Sequence, residues 1–173
     1  MQKILITGSN GLLGQKLVYK LKDKTNVLCI ATARGENRLV NKTGYEYAAL
    51  DITNYDNVAQ VFSKFMPDVI INTAAMTNVD ACETDKEGAL LLNTTSVKNQ
   101  VTVLEKLQKE NPNYKPHFIH LSTDFIFDGT HGPLDENEKP NPLSYYAETK
   151  LEAEKIVQAS SLHWAMARTV LVY

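Results

Sequence analysis

Short apolar runs alternate with amphipathic stretches along the whole chain. Apolar runs of this length are typical of strands in a parallel sheet, where both faces are covered by helices. The pattern predicts a first strand over residues 4–6 and five later strands: Val27–Ala31, Glu46–Leu50, Asp68–Asn72, His117–Ser122 and Trp164–Val172.

Helical periodicity fills the intervals between these strands. The first helix carries Leu13, Leu17 and Leu21 on one stripe, and the second carries Val58, Val61, Phe62 and Phe65 before Pro67. A long helix is predicted over Asp85–Lys109, with Leu90, Val97, Val101 and Leu104 on one face, and a last helix over Leu143–Ser160. The glycines and prolines of Asp124–Pro142 predict a loop.

Asn93 falls on the apolar stripe of the long helix. A buried amide needs hydrogen-bond partners, so Asn93 is predicted to tie this helix to a neighbouring backbone.

The alternation predicts an α/β fold of the Rossmann type, a doubly wound parallel sheet in one domain over residues 1–173. The strand order expected for that fold is 3-2-1-4-5-6, and its ligands lie beyond the carboxyl ends of the strands. Every candidate residue below follows such an end.

The amino-acid composition bears on which kinds of molecule the protein could bind. The apolar content of 43% and net charge of −2 give no reason to expect nucleic acid or a membrane. Cys29 and Cys82 lack CxxC spacing, which favours a reducing cytoplasm and no metal site. The four scattered histidines, among them His117 and His120, are predicted to be packed or edge residues rather than ligands.

Three glycines, Gly8, Gly11 and Gly14, follow the first strand at intervals of three. A helix begins there, and its free N–H groups and dipole attract a phosphate. Glycine lets the backbone approach a pyrophosphate without a Cβ in the way. The turn therefore predicts a dinucleotide site.

The second strand is followed by Arg34, Glu36 and Arg38. An acid at the strand end would favour NAD, whereas two arginines suit a 2′-phosphate. We therefore expect NADP(H) to be preferred, with NAD(H) as the alternative; the arginines could equally be solvated loop residues.

Asp51 ends the third strand, where it could accept a bond from the adenine amine or cap the next helix. Small residues at 73–75 would let a dinucleotide pass close to the fourth strand or would simply pack closely. The full predicted cofactor set is Gly8, Asn10, Gly11, Leu12, Leu13, Gly14, Arg34, Arg38, Asp51, Ile52, Thr73, Ala74, Ala75, Tyr146 and Lys150.

Tyr146 and Lys150 are spaced i, i+4, which places a phenol and an ammonium on one helix face. A nearby cation lowers the pKa of a tyrosine toward neutrality. Thr123 ends the fifth strand and could hold a carbonyl oxygen beside the phenol. Tyr145 competes with Tyr146, but its i+4 neighbour Thr149 carries no charge. Thr123, Tyr146 and Lys150 are the predicted catalytic residues.

The chain resembles the extended short-chain dehydrogenase/reductases in TGxxGxxG from Thr7, NTAA from Asn72 and YxxxK from Tyr146. More narrowly, NVDACE from Asn78, LSTDFIFDG from Leu121 and NPL from Asn141 resemble the dTDP-4-dehydrorhamnose reductase family. Phe125 and Ala147 stand where that family commonly has tyrosine and glycine.

The resemblance implies hydride transfer from NAD(P)H to the C4 keto group of a nucleotide-linked deoxysugar. By position, Tyr146 would donate the proton, Lys150 would bind the nicotinamide ribose and lower the tyrosine pKa, and Thr123 would orient the keto oxygen. Two other readings stay open: a regulatory subunit of the methionine adenosyltransferase type, and a sugar-nucleotide epimerase or dehydratase.

Members of the family normally continue for about a hundred residues beyond the sixth strand, which supply most of the sugar-nucleotide pocket. We therefore expect a chain that holds the cofactor domain without the substrate domain, binds dinucleotide and turns over substrate poorly. Apolar surface should be exposed near the sixth strand, an association site that a homodimer could use.

Overall fold

The computed structural model describes residues 1–170 and residue 172. It contains one six-stranded sheet in the order β3-β2-β1-β4-β5-β6, with all strands parallel. The strands are β1 (Gln2–Thr7), β2 (Val27–Ala33), β3 (Glu46–Ala49), β4 (Val69–Asn72), β5 (His117–Thr123) and β6 (His163–Thr169). The predicted fold class and strand order are confirmed.

The helices are α1 (Leu12–Leu21), α2 (Tyr55–Phe65), α3 (Val79–Thr84), α4 (Lys86–Leu90), α5 (Ser96–Glu110) and α6 (Tyr145–Gln158). Apolar residues of α2, α5 and α6 pack in one cluster with those of β1, β2, β4 and β5, represented by Phe62, Leu104, Val157 and Phe118. Val18 of α1 packs in a second cluster with Ile6 and Ala31. Burial of apolar side chains against both faces of the sheet supplies the main stabilisation.

The predicted long helix differs in detail. It runs from Lys86 to Glu110, but a π-helical turn over Leu91–Thr95 separates α4 from α5. The wider turn rotates the following residues relative to those before it. Val97 and Leu104 are therefore buried as predicted, whereas Leu90 is 44% exposed, so its placement on the buried face was wrong.

Other boundaries shift by a few residues. Helix α3 was not predicted, since six residues are too few to show a period, and Asn78 caps it by accepting from the Ala81 N–H. The loop before α6 includes one 3₁₀ turn over Asp124–Ile126. Strand β6 ends at Thr169; of the predicted strand to Val172, Leu171 lies outside the described residues. Trp164 and Val170 expose apolar surface, as predicted near this strand.

Candidate active site

The glycine turn is closely packed where β1 enters α1. Gly8 has φ +69°, and a Cβ there would lie 2.9 Å from the Ala74 backbone. At Gly14 a Cβ would lie 2.3 Å from the Gly8 carbonyl oxygen. Neither contact leaves room for a side chain, so β1, β4 and the start of α1 approach more closely than any other residue allows. This arrangement fits a pyrophosphate at the N-terminus of α1.

A cavity of about 520 Å³ joins this turn to the predicted catalytic residues. The turn contributes Gly11, Leu12, Leu13 and Gly14, and the end of β4 contributes Thr73 and Ala75. The far end is lined by residues from β5 and the 3₁₀ turn after it, from α6 and from the end of β6: Leu121, Ser122, Thr123, Phe125, Tyr146, Lys150, Thr169 and Val170. The fold thus brings the separately predicted turn and catalytic residues to one space.

Tyr146 lies in the first turn of α6, which Ser144 caps by accepting from the Ala147 N–H at 3.3 Å. Its ring meets Phe125 edge to face, with 6.3 Å between centroids. The competing Tyr145 lies instead with its ring under the Lys86 ammonium, 4.9 Å away. Tyr146 is therefore the tyrosine that faces the cavity.

Burial raises the pKa of Tyr146, and the nearby Thr123 side chain offsets this only in part. The Thr123 hydroxyl donates to Asp124 Oδ1 at 3.2 Å. The predicted lowering of the Tyr146 pKa by Lys150 is absent from this arrangement. A raised pKa keeps the phenol protonated at neutral pH, which suits a proton donor.

Lys150 is buried at the centre of the site. Its Nζ donates to the Leu121 carbonyl at 2.6 Å and lies 3.5 Å from His120 Nε2. Burial lowers the pKa of Lys150 to about 8, and the charge of Glu154 opposes this shift. The ammonium is turned toward the strand end rather than the phenol, which explains why the Tyr146 pKa is not lowered.

Glu154 lies one turn after Lys150 and is fully buried. Arg168 of β6 binds it in bidentate fashion, with Nε to Oε1 at 3.0 Å and Nη2 to Oε2 at 2.8 Å. Arg168 also donates to the Glu136 carbonyl at 3.2 Å and stands over the Phe127 ring. The pair therefore connects α6, β6 and the loop before α6.

The buried lysine predicts a specific dependence of stability on pH. The folded protein releases the Lys150 proton near pH 8, whereas the unfolded chain does so near 10.5. Below pH 8 Lys150 is protonated in both the folded and the unfolded state, so burial of its charge lowers the free energy of unfolding by the full amount. As pH rises from 8 toward 10.5 the folded state loses that cost first, so stability increases.

Relative to Lys150→Met, the free energy of unfolding of the unmodified protein should therefore rise by roughly 2 kcal/mol between pH 7 and pH 10. Urea titrations across this range measure it. Lys155→Met, an exposed lysine of the same helix, is the control and should show a constant difference. Parallel curves for the Lys150 variant would show that this ammonium is not destabilised by burial.

The predicted adenosine residues lie beside the turn. Asn10 donates from Nδ2 to the Glu36 carbonyl at 2.9 Å and accepts the Arg38 N–H at 3.0 Å. These bonds fasten the loop after β2 to the glycine turn. Arg34 and Arg38 are exposed and do not line the cavity. A 2′-phosphate contact by these arginines stays a prediction.

Asp51 and Thr73 are already engaged within the protein. Asp51 Oδ1 accepts from the Thr53 N–H at 3.0 Å and hydroxyl at 2.6 Å. Asn54, not Asp51, caps α2. Thr73 donates to the Thr7 carbonyl at 2.6 Å, and Ile52 is buried. An adenine contact by Asp51 stays a prediction, while the helix-cap alternative is wrong.

A second cavity of about 490 Å³ shares Val79 and Phe125 with the first. It is lined by the segment after β5 and the entrance to α6, including Asp124, Phe127, Leu143 and Ser144. Tyr146 lines the first cavity and not the second, but its ring contacts Phe125, which both cavities share.

Asn93 performs its predicted task. Its Oδ1 accepts from the Met76 N–H at 2.8 Å, and its Nδ2 donates to the Met76 carbonyl at 3.0 Å and to Thr149 Oγ1 at 3.1 Å. The π-helical turn that carries Asn93 is thus joined both to the segment after β4 and to α6.

His120 is buried, as predicted for a packed histidine, whereas sequence reasoning missed its place beneath the site and missed Gln100 and Glu154 altogether. The alternating burial of β5 places His120 and Ser122 on one face, and Glu154 is i+4 from Lys150. The alternation in β5 could have suggested the inward position of His120, and the i, i+4 spacing could have placed Glu154 beside Lys150. Among residues 1–170 and 172, no group of three or more His, Cys, Asp or Glu side chains could hold a metal ion, and no helix has the length and apolarity to cross a membrane.

The chain is similar over almost its whole length to proteins of known name. Methionine adenosyltransferase 2 subunit beta of Xenopus tropicalis is 34% identical over 173 residues, which are 99% of this chain and 47% of that protein. A dTDP-4-dehydrorhamnose reductase of Clostridium acetobutylicum superposes with a TM-score of 0.82 at 35% identity, covering 99% of this chain and 54% of its own.

A dTDP-4-dehydrorhamnose reductase of Bacillus anthracis, crystallised in complex with NADP, superposes with a TM-score of 0.77 at 26% identity. The superposition covers 100% of this chain and 55% of the Bacillus anthracis chain. The chain thus spans about half the length of the relatives it matches. A family model described as the RmlD substrate binding domain matches residues 1–173. By that match over its whole length, the chain belongs to the RmlD substrate binding domain family.

Proposed function

We propose that the protein is an NADP(H)-dependent reductase of a nucleotide-linked 4-keto-6-deoxysugar, of the dTDP-4-dehydrorhamnose reductase type. One observation carries the proposal: a single cavity runs from the glycine turn to Thr123, Tyr146 and Lys150. This is the geometry that a reductase needs, because hydride donor, carbonyl and acid must meet at near-attack distance.

The cofactor assignment rests on the turn and on the free arginines. Gly8, Gly11 and Gly14 would admit the pyrophosphate, and Arg34 and Arg38 would bind a 2′-phosphate. The Bacillus anthracis relative crystallised with NADP supports this choice. NAD(H) is the alternative cofactor.

The bound cofactor supplies the hydride. The chain supplies the acid: Tyr146 holds its proton because burial raises its pKa, and its Oη gives that proton to the developing alkoxide. Thr123, near that phenol, orients the carbonyl oxygen. The Lys150 ammonium, which donates to the Leu121 carbonyl and lines the same cavity, would bind a hydroxyl of the nicotinamide ribose.

The second cavity supports a sugar nucleotide as substrate. It adjoins the first cavity at Phe125 and offers apolar surface from Phe125, Phe127 and Leu143 together with polar groups from Asp124 and Ser144. Such a mixture suits a deoxysugar, which carries both a methyl group and hydroxyls.

A deuterium-transfer assay tests the function. The protein is incubated with dTDP-4-keto-6-deoxy-L-mannose and NADPH deuterated at nicotinamide C4. We expect slow NADPH oxidation that depends on the sugar nucleotide, and deuterium at C4 of the sugar, which the label detects even at low turnover. Oxidation without the sugar nucleotide, or product without label, would contradict the proposal. NADPH binding without any reduction would favour the second candidate.

That second candidate is a dinucleotide-holding subunit of the methionine adenosyltransferase type. The 34% identity to methionine adenosyltransferase 2 subunit beta supports it. Thr123, Tyr146 and Lys150 support the enzyme instead, since holding a dinucleotide requires no proton donor at the far end of the cavity.

Arg38 provides a test of cofactor preference. Its backbone is held to the glycine turn through Asn10, while its side chain is exposed. Arg38→Ala should weaken NADPH binding about tenfold or more, because a charge-assisted bond to the 2′-phosphate is lost. NADH binding should stay unchanged. Lys42→Ala, an exposed cation of the same loop, is the control. Calorimetric titration measures the affinity of the unmodified protein and of both variants for NADPH and NADH. An equal loss of affinity for NADPH and NADH in Arg38→Ala would contradict the assignment.

A further inference from the structure

His120 lies under the catalytic lysine and has no assigned role. It is fully buried in β5, three residues before Thr123. Its two ring nitrogens face different partners: Nδ1 lies 3.0 Å from Asn72 Nδ2, and Nε2 lies 3.5 Å from Lys150 Nζ. A buried imidazole between two such groups has its proton position decided by them.

The orientation of the Asn72 amide is determined by its neighbours. Asn72 Oδ1 accepts from the Thr7 hydroxyl at 2.6 Å and from Gln100 Nε2 at 3.3 Å. Gln100 is itself oriented, because its Nε2 also donates to the Ser96 carbonyl at 3.2 Å. With its oxygen occupied by two donors, Asn72 must present its N–H₂ to His120.

An N–H₂ group can only donate, so His120 Nδ1 is the acceptor and carries no proton. The proton of the neutral ring then resides on Nε2, the atom that faces Lys150. Burial and the Lys150 charge both lower the pKa of His120, so the ring stays neutral. The lysine therefore faces the positive end of an N–H bond.

This contact discriminates between the two states of the lysine. A charged Nζ meets the Nε2–H as one donor meets another, whereas an uncharged Nζ can accept that hydrogen while donating to the Leu121 carbonyl. Glu154 on the same helix is a charged group that acts on Lys150, and Arg168 of β6 already binds both of its oxygens.

We propose that His120 is a positioning residue for Lys150. Gln100 and Asn72 hold the neutral His120 ring with its proton on Nε2. This N–H turns Lys150 Nζ toward the Leu121 carbonyl and favours release of a proton from Nζ. The proposal deepens the proposed function, because it concerns the lysine of that site. The measurements that test the His120 proposal require no turnover. The His120 proposal can therefore fail while the proposed function stands, and the proposed function can fail while the His120 proposal stands.

The first test is the tautomer of His120 in the unmodified protein. Nitrogen NMR of histidine-labelled protein should show one ring with Nδ1 unprotonated and Nε2 protonated, unchanged between about pH 5 and pH 8 where an ordinary histidine titrates. The signal is assigned by its loss in His120→Asn. A proton on Nδ1, or titration in this range, would overturn the proposal.

The second test uses a matched pair of variants. The amide of His120→Asn can replace Nδ1 as the partner of Asn72 but places nothing at Nε2, whereas His120→Gln places an amide near Nε2. Carbon NMR of labelled lysines should show the pKa of Lys150 rising by about one unit in the Asn variant and by less in the Gln variant. His163→Asn, an exposed histidine of β6, should leave it unchanged. An unchanged Lys150 pKa in His120→Asn would overturn the proposal.

Discussion

Replacement of Tyr146 by phenylalanine is expected to lower the rate of sugar reduction by about 10²–10⁴-fold. The phenylalanine ring keeps the edge-to-face contact with Phe125, so packing and cofactor binding should change little. What is lost is Oη, the atom that holds the proton for the developing alkoxide. The fall should therefore be in kcat, with the affinity for NADPH preserved.

Tyr145→Phe is the matched control for this substitution. It removes the same hydroxyl from the adjacent residue, whose ring lies under Lys86 outside the cavity. Its reduction rate should equal that of the unmodified protein. Equal rates for Tyr146→Phe and the unmodified protein would show that another group donates the proton.

Gly14→Ala is expected to abolish tight dinucleotide binding and to lower the melting temperature. The added Cβ would lie 2.3 Å from the Gly8 carbonyl oxygen and 2.8 Å from Ser9 Cα, and backbone cannot yield as a flexible side chain does. Overpacking of this kind costs about 1–3 kcal/mol or more. For a domain of this size that is a fall of roughly 5–10 °C.

The shift that relieves this clash widens the turn at the N-terminus of α1, so NADPH affinity should fall by about tenfold or more. Gly132→Ala is the control, because a Cβ there meets nothing within 4 Å. Calorimetry and thermal melting measure both effects. A Gly14 variant that bound NADPH as tightly as Gly132→Ala would contradict the assignment of the turn.

The fold could be predicted because its signals are local. Buried parallel strands read as apolar runs, and the glycines of the turn follow the first of them directly. The helix of Tyr146 and Lys150 brings its two residues together by spacing alone. Sheet order then followed from the alternation of elements, and the structure has that order.

What could not be predicted depends on contacts between distant segments. The π-helical turn at Leu91–Thr95 leaves no period in the sequence, yet it exposes Leu90 and brings Asn93 to Met76. The relay from Gln100 through Asn72 to His120 joins three elements, α5, β4 and β5. Only the assembled sheet shows that these side chains meet.

The electrostatics of the catalytic pair show the same limit. The i, i+4 spacing predicts that Lys150 lowers the pKa of Tyr146. That prediction considers only the helix that carries both residues. In the assembled site burial raises the Tyr146 pKa, while Nζ is held by the carbonyl of Leu121 on β5. A phenol that keeps its proton is the form that a carbonyl reduction uses.

The most direct test of the central claim, that one cavity holds NADPH from the glycine turn to Tyr146, is a crystal structure of the protein with NADPH. We expect the pyrophosphate at Gly11–Gly14, the 2′-phosphate at Arg34 and Arg38, and the nicotinamide beside Thr123 and Tyr146. A dinucleotide bound elsewhere, or with its nicotinamide directed away from Tyr146, would contradict the account.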